Sequence, residues 1–286
     1  MKQCGFALTL FLLLAGSSSA VTYTFVATGP AVLGLSPLNE NPQHPESSAS
    51  GTALVTWDTL TNLMTVHVVF NGLTTPNTAA HIHCCVSAPG TAGVATTTPT
   101  FTGFPGGATS GAYSHTFDMT QATSYNPAFV TANGGVSNAK DVLLAGMLAG
   151  KTYLNIHSQM FGGGEIRGFL VEPVDISIKP GGEGPVPINP KSHGKTPVAI
   201  LSTPTFNALS SVDATSLTFG RTGQEQSLDF CNTGGEDVNG DGLPDLVCHF
   251  DTQATGFQKG DTLGILMGKT FQGTPIVGQE GIVIVP

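Results

Sequence analysis

The stretch "GTALVTWDTLTNLMTVHVVF", Gly51 to Phe70, decides the fold class. Two segments, "GTALVTWD" and "LMTVHVVF", flank a turn at Thr59–Asn62, and both alternate apolar with polar residues. In the second, Met64, Val66, Val68 and Phe70 share one face. A two-residue period belongs to a strand with one buried side. "YTFVAT", "AAHIHC", "AYSHTF", "TYLNIHS" and "EIRGFLVE" repeat the pattern as far as Glu172. One helix interrupts it: Ser137 offers an N-cap, Leu143, Leu144, Met147 and Leu148 form an apolar stripe, and Gly150 ends it. Beyond Pro173, "VDISIKPGG", "PVAILS", "SLTFG", "SLDFC", "DLVCHFD", "TLGILMG" and "GIVIVP" read as further short strands without a helix. The expectation is an all-β protein of two β-sandwich domains. The first (21–172) has one short helix; the second (174–286) is smaller and carries an acidic loop in a hairpin.

Composition agrees with many short strands: 37 glycines and 19 prolines punctuate a chain that is 40% hydrophobic and only 10% charged. The formal charge is −9 and no run of Lys or Arg occurs. Nucleic acid needs a basic footprint and is excluded as a partner; anionic membrane surfaces are disfavoured likewise. Residues 1–20 read as a secretory signal peptide, with Lys2 ahead of an apolar run and cleavage after Ala20. The product is expected to be secreted, extracellular or at the cell surface, with the periplasm as the other oxidising compartment, and without membrane insertion.

The motifs "NENP" (39–42), "SGTALVTWD" (50–58), "HVVFNGL" (67–73), "AAHIHCC" (79–85), "YLNIHS" (153–158) and "GGEIRGFL" (163–170) follow one another in an order that resembles the CHRD (chordin) domain. The resemblance spans residues 22–172. It implies a secreted β-rich domain, found in animal developmental regulators and bacterial exported proteins, with no general enzymatic activity. Where the family commonly has a glycine after HIH, Cys84 and Cys85 stand here. The segment 174–286 resembles a C-terminal domain of bacterial secreted and surface proteins.

"AHIHCC", Ala80 to Cys85, is the most chemically loaded segment. On a strand His81 and His83 share a face, and His157 in "YLNIHS" shares a face with Asn155. Imidazole suits copper and zinc, and a His-x-His strand chelates well. If the two strands are neighbours, three imidazoles converge, similar in outline to the copper site of Cu/Zn superoxide dismutases. His115 is a further candidate ligand. The plainer reading is that these histidines hydrogen-bond Ser, Thr and backbone groups under a loop. Glu165 and Arg167 in "GEIRG" share a face and are expected to form a surface ion pair worth ~0–1 kcal/mol. Cys84 and Cys85 end the strand, either bonded to each other or free.

"DVNGDGLPDLV" places Asp237, Asn239 and Asp241 at positions 1, 3 and 5 of a loop, with Gly242 at the turn. The Leu243 carbonyl and Asp245 complete a set of hard oxygen ligands for Ca²⁺, which takes ~6–8 oxygens. An EF-hand needs a Glu where Cys248 stands, and strands flank the loop, so it looks more like the calcium loops of FG-GAP repeats. Cys231 and Cys248 bracket it; a disulfide there closes ~18 residues and stabilises by roughly 3 kcal/mol. Acids in residues 21–172 are sparse and none pairs by spacing, which ranks a hydrolase last. The leading expectation is a non-enzymatic extracellular binding or structural module with calcium as its cofactor. Its partner would be an extracellular protein or polysaccharide. The alternative is a copper- or zinc-binding protein with superoxide-dismutase-like redox activity at His81, His83 and His157.

Overall fold

The computed structural model describes residues 21–28, 33–182 and 184–286. The signal peptide expected over residues 1–20 lies outside them. The chain is mostly strand, arranged as packed sheets whose pairings are antiparallel except where β8 and β10 join β16.

Seven strands build the first core: β1 Thr22–Ala27, β2 Ser50–Asp58, β3 Leu63–Asn71, β4 Asn77–Cys84, β5 Gly111–Asp118, β6 Thr152–Ser158 and β7 Ile166–Phe169. One sheet has the order β1-β2-β3-β5, the other β4-β6-β7. The β2–β3 hairpin pairs Trp57 with Met64 and Val55 with Val66. The even-numbered set from Met64 to Phe70 is fully buried, together with Phe25, Val55 and Trp57. It packs against Ala80, Ile82, Leu154, Ile156 and Ile166 of the second sheet. Each Val, Leu, Ile, Met or Phe side chain so removed from water contributes about 1.5–3 kcal/mol.

Two helices close one end: α1 Pro127–Ala132 and α2 Val136–Leu148. In α2, Leu143 and Met147 are fully buried, while Leu144 and Leu148 lie at the core's margin. The N-cap is Gly135, at φ 129°, and Ser137 sits within the first turn without capping. The positive-φ glycine redirects the chain one residue before the hydroxyl that the sequence offers. Helix α1 was not anticipated, because its six residues carry no apolar stripe. Its start signal is local: the Asn126 side chain accepts from Ala128 N and Pro127 occupies the first helical position.

Nine strands follow: β8 Glu172–Pro173, β9 Ile176–Ile178, β10 Val186–Ile188, β11 Lys195–Ile200, β12 Thr218–Gly220, β13 Leu228–Glu236, β14 Asp245–Asp251, β15 Leu263–Lys269 and β16 Pro275–Ile284. The sheets β10-β16-β15-β12 and β13-β14-β11-β9 enclose a second core around Phe219, Phe250, Val198, Ile200, Leu266 and Ile282. A single helical turn, Ala208–Ser211, caps it. Cys231 and Cys248 face each other in the β13–β14 register and form a disulfide.

Pro173 lies in β8, which adds in parallel to β16, while Val171 exchanges backbone hydrogen bonds with Val26 of β1. A small cluster of Leu33, Ile265 and Val277, bordered by Val26, Val171 and Met267, joins the two cores. No helix among the described residues is long and apolar enough to cross a membrane.

Candidate metal centre

The β4-β6-β7 sheet is buried on both faces, for different reasons. Ala80, Ile82, Leu154, Ile156 and Ile166 point into the core. The alternate positions carry His81 and His83 on β4, Tyr153, Asn155 and His157 on β6, and Arg167 and Phe169 on β7. Register aligns them in rows: His83 opposite Tyr153 opposite Phe169, and His81 opposite Asn155 opposite Arg167. Loops cover this polar face.

Those loops fix the histidine tautomers. A ring nitrogen facing a carbonyl oxygen carries the proton. His81 therefore donates from Nε2 to Pro99 O (2.6 Å), His83 from Nδ1 to Ala92 O (2.9 Å) and His157 from Nδ1 to Gly162 O (3.0 Å). The remaining nitrogens, His81 Nδ1, His83 Nε2 and His157 Nε2, are buried and meet no hydrogen-bond partner among the described residues. One ring nitrogen from each residue lies within 4.8 Å of the others. Ring centroids are 5.3–5.8 Å apart. Burial is the main cause that pulls the His81 and His83 imidazoles down to about 4, and it lowers His157 also. All three are neutral, the form that ligates metals. Anchoring each N–H on a carbonyl is the second layer that metal-binding histidines require.

The expected surface ion pair between Glu165 and Arg167 does not form. Both side chains are fully buried, and burial demands closer partners than each other. Glu165 Oε1 accepts from Ser47 Oγ, Thr74 N and Thr74 Oγ1, each at 2.7 Å. Burial pushes its carboxyl up, yet hydrogen bonds from Ser158, Thr74 and Ser47 outweigh it and the carboxyl is lowered. Arg167 donates to Asn39 O, Gly90 O (3.0 Å) and Pro89 O (2.8 Å) and lies 3.7 Å from Glu40. Burial raises the Glu40 carboxyl to about 8 against the pull of that guanidinium.

His115 is not part of the cluster. It lies on β5, in the other sheet, with its ring 4.6 Å from that of Phe117. Cys84 and Cys85 are joined as a disulfide where β4 ends, and both sulfurs pack on Gly146 of α2.

In the second core, Asp237, Asn239, Asp241 and Leu243 form the exposed connection between β13 and β14. Asp237 Oδ1 accepts from Gly240 N and Asp241 N, and Oδ2 from Gly242 N. Asp241 accepts from Leu243 N and from the Asn239 amide. Asp245 is fully buried; its oxygens accept from Ser202 N (2.8 Å) and Val238 N (3.0 Å). Among the described residues, the three histidines are the set of three or more His, Cys, Asp or Glu side chains whose ligand atoms lie within 4.8 Å of one another.

Sequence reasoning missed the carbonyls of Ala92, Pro99 and Gly162 and the role of Tyr153, whose hydroxyl meets the Ala92 peptide. A backbone carbonyl leaves no mark in a sequence. The sole clue was the Thr-, Gly- and Pro-rich segment after "HIHCC", too long to be a simple turn.

Fold and site together define a β-sandwich protein with a loop-covered tri-histidine cluster. Residues 32–170, which contain all three histidines, match the family model described as the CHRD domain. No curated protein and no solved structure matches the chain.

Proposed function

We propose that this chain is a secreted, non-enzymatic extracellular binding module whose tri-histidine pocket takes up one copper or zinc ion. The carrying observation is the convergence of three buried, unpartnered imidazole nitrogens whose opposite nitrogens are all held by carbonyls. Histidines that served only to hydrogen-bond under a loop would gain nothing from aiming three lone pairs at one another. The CHRD match supports an extracellular binding or structural role. The test is uptake of Cu(II) and Zn(II) by chelator-stripped protein made without affinity histidines. A His81→Ala/His83→Ala variant should lose the uptake. Wild-type protein that binds neither ion sinks the reading, and copper-dependent superoxide consumption lost in the variant would replace "non-enzymatic" with a redox role.

A second reading concerns calcium at Asp237, Asn239, Asp241, the Leu243 carbonyl and Asp245. The 1-3-5-7-9 spacing favours it. The loop already has its sharp turn, with Gly240 and Gly242 at φ 78° and 86°. Calcium there would stabilise the second core.

A further inference from the structure

Beside the three histidines, the Asn155 amide oxygen is a buried polar atom that the histidine site leaves unaccounted for. Asn155 stands opposite His81 in the β4–β6 register and two residues before His157 on the same strand. It is 2% exposed, and its Oδ1 meets no hydrogen-bond partner among the described residues. Opposed residues of an antiparallel pair hold their Cβ atoms ~4.5–5.5 Å apart, so this amide lies beside the His81 imidazole. Arg167, its neighbour on the other side, gives its N–H groups to the carbonyls of Asn39, Gly90 and Pro89 instead.

Packing shows that the amide is seated deliberately. Gly164 lies against it at φ 126°, and a Cβ there would stand 2.3 Å from Nδ2 and 2.5 Å from Oδ1. Only glycine accepts both that backbone conformation and that approach. A buried amide oxygen without a partner loses its hydration for nothing, so a native fold keeps one where something else meets it. The other orphaned side-chain oxygens are differently placed. Thr152 Oγ1 sits at a β6 position that alternates with Asn155, and Glu40 and Glu165 use their second oxygens elsewhere. Three imidazole nitrogens and the Asn155 amide oxygen remain orphaned at neighbouring positions of β4 and β6.

We propose that Asn155 Oδ1 is the fourth ligand of the ion held by His81, His83 and His157. This gives a neutral N₃O set for a divalent copper or zinc ion, and it rests on the tri-histidine reading. Four donors complete the tetrahedral shell that zinc prefers in closed structural sites. An amide oxygen adds no charge, so binding is weaker than a carboxylate in the same place would give. A filled fourth position also explains a binding site rather than a catalytic one, since an open position is what metal catalysis needs.

Zn(II) affinity by chelator competition, Co(II) absorption and azide titration of the Co(II) form test this on the full chain. Asn155→Ala should weaken Zn(II) by at least ~10-fold. It should change the Co(II) visible band and let azide bind where wild type resists it, while metal-free melting stays close to wild type. Asn155→Asp should instead tighten Zn(II), which keeps the test open if the alanine variant folds poorly. Unchanged Zn(II) affinity and Co(II) spectra in both variants, or azide binding equally to wild type, would overturn Asn155 as ligand and leave the histidine site standing. Retention of Zn(II) by His81→Ala/His83→Ala would instead remove the histidine site on which the proposal depends.

Discussion

The imidazole of His83 lies parallel to the ring of Tyr153, with centroids 4.7 Å apart and 6° between the planes. The two are register partners on β4 and β6. From β7, Arg167 brings its Cζ to 4.7 Å from the same Tyr153 centroid. The Tyr153 hydroxyl accepts from Ala92 N at 3.1 Å and donates to Ala92 O at 3.2 Å. That carbonyl is the one to which His83 donates. One phenol thus supports the histidine by its face and fixes the tautomer through its hydroxyl. Tyr153→Phe keeps the stack and removes the clamp. The expected outcome is a stability loss of about 1 kcal/mol and Zn(II) binding weaker by ~10-fold. Urea denaturation and chelator competition measure the two. Unchanged affinity would mean that the Ala92 peptide holds its place without the hydroxyl.

The buried histidines set an acid limit on the metal-free protein. Burial lowers His81 and His83 from 6.5 to about 4 in the folded state. Between those values the unfolded chain binds more protons than the folded one, so stability falls as pH falls. The slope has a ceiling of ~1.4 kcal/mol per pH unit per histidine, and solvent reaching the site lowers it. His81→Gln/His83→Gln removes both titrations. Denaturation curves of chelator-treated wild type and variant should converge, or cross, on acidification from pH 6.5 to 4. A constant gap across that window contradicts neutral burial of these rings.

The alternating pattern of residues 51–70 made the all-β fold legible, since a strand with one buried face has few other ways to write itself. His-x-His also revealed its shared face, because that follows from strand geometry alone. What stayed hidden came from contacts distant in sequence. Arg167 reads as half of a local pair with Glu165. Its partners are carbonyls at residues 39, 89 and 90, brought to β7 by two separate loops. Glu165 likewise finds Ser47 and Thr74. Two charges sharing a strand face are neighbours in any sequence reading, and only burial shows that each is satisfied from elsewhere. Ser137 against Gly135 is the smaller case. The cap was decided by backbone conformation, which a positive-φ glycine supplies and a hydroxyl does not.

The acidic loop of the second core contains residues of two kinds. Asp241 is exposed, and Asn239 and Leu243 supply its contacts. Asp245 is buried and ties the loop's end to Val238 and Ser202. Calcium binding to the folded state should stabilise by RT ln(1 + [L]/Kd), ~2.7 kcal/mol at one hundred times Kd. Asp241→Asn should abolish the calcium-dependent rise in melting temperature and leave melting in EDTA near wild type. Asp245→Asn should lower melting in EDTA as well, since a buried acceptor pair is disturbed. Calorimetry with and without EDTA decides: no calcium effect on wild type removes the ion, while equal EDTA melting of both variants removes the structural role of Asp245.

Gly146 links helix α2 to the strand that carries His81 and His83. A Cβ there would stand 2.6 Å from Cys84 Sγ, 2.7 Å from Cys85 Sγ and 3.3 Å from Thr152 Cγ2. In an open helix, Gly→Ala is favourable by about 1 kcal/mol. Here overpacking opposes it at about 1–3 kcal/mol, because neither side can yield. Leu143 and Met147 fix α2 in the core, and the bonded sulfurs are fixed at the end of β4. The clash should therefore win, and Gly146→Ala should destabilise by about 1 kcal/mol. It should also weaken Zn(II) binding, because relief comes most directly from moving Cys84, the residue next to His83. A double-mutant cycle isolates the cause. In a Cys84→Ala/Cys85→Ala background the sulfurs are gone, and the same Gly146→Ala change should turn neutral or stabilising as helix propensity takes over. Equal destabilisation in both backgrounds would show that Thr152 or the helix backbone, rather than the disulfide, requires the glycine.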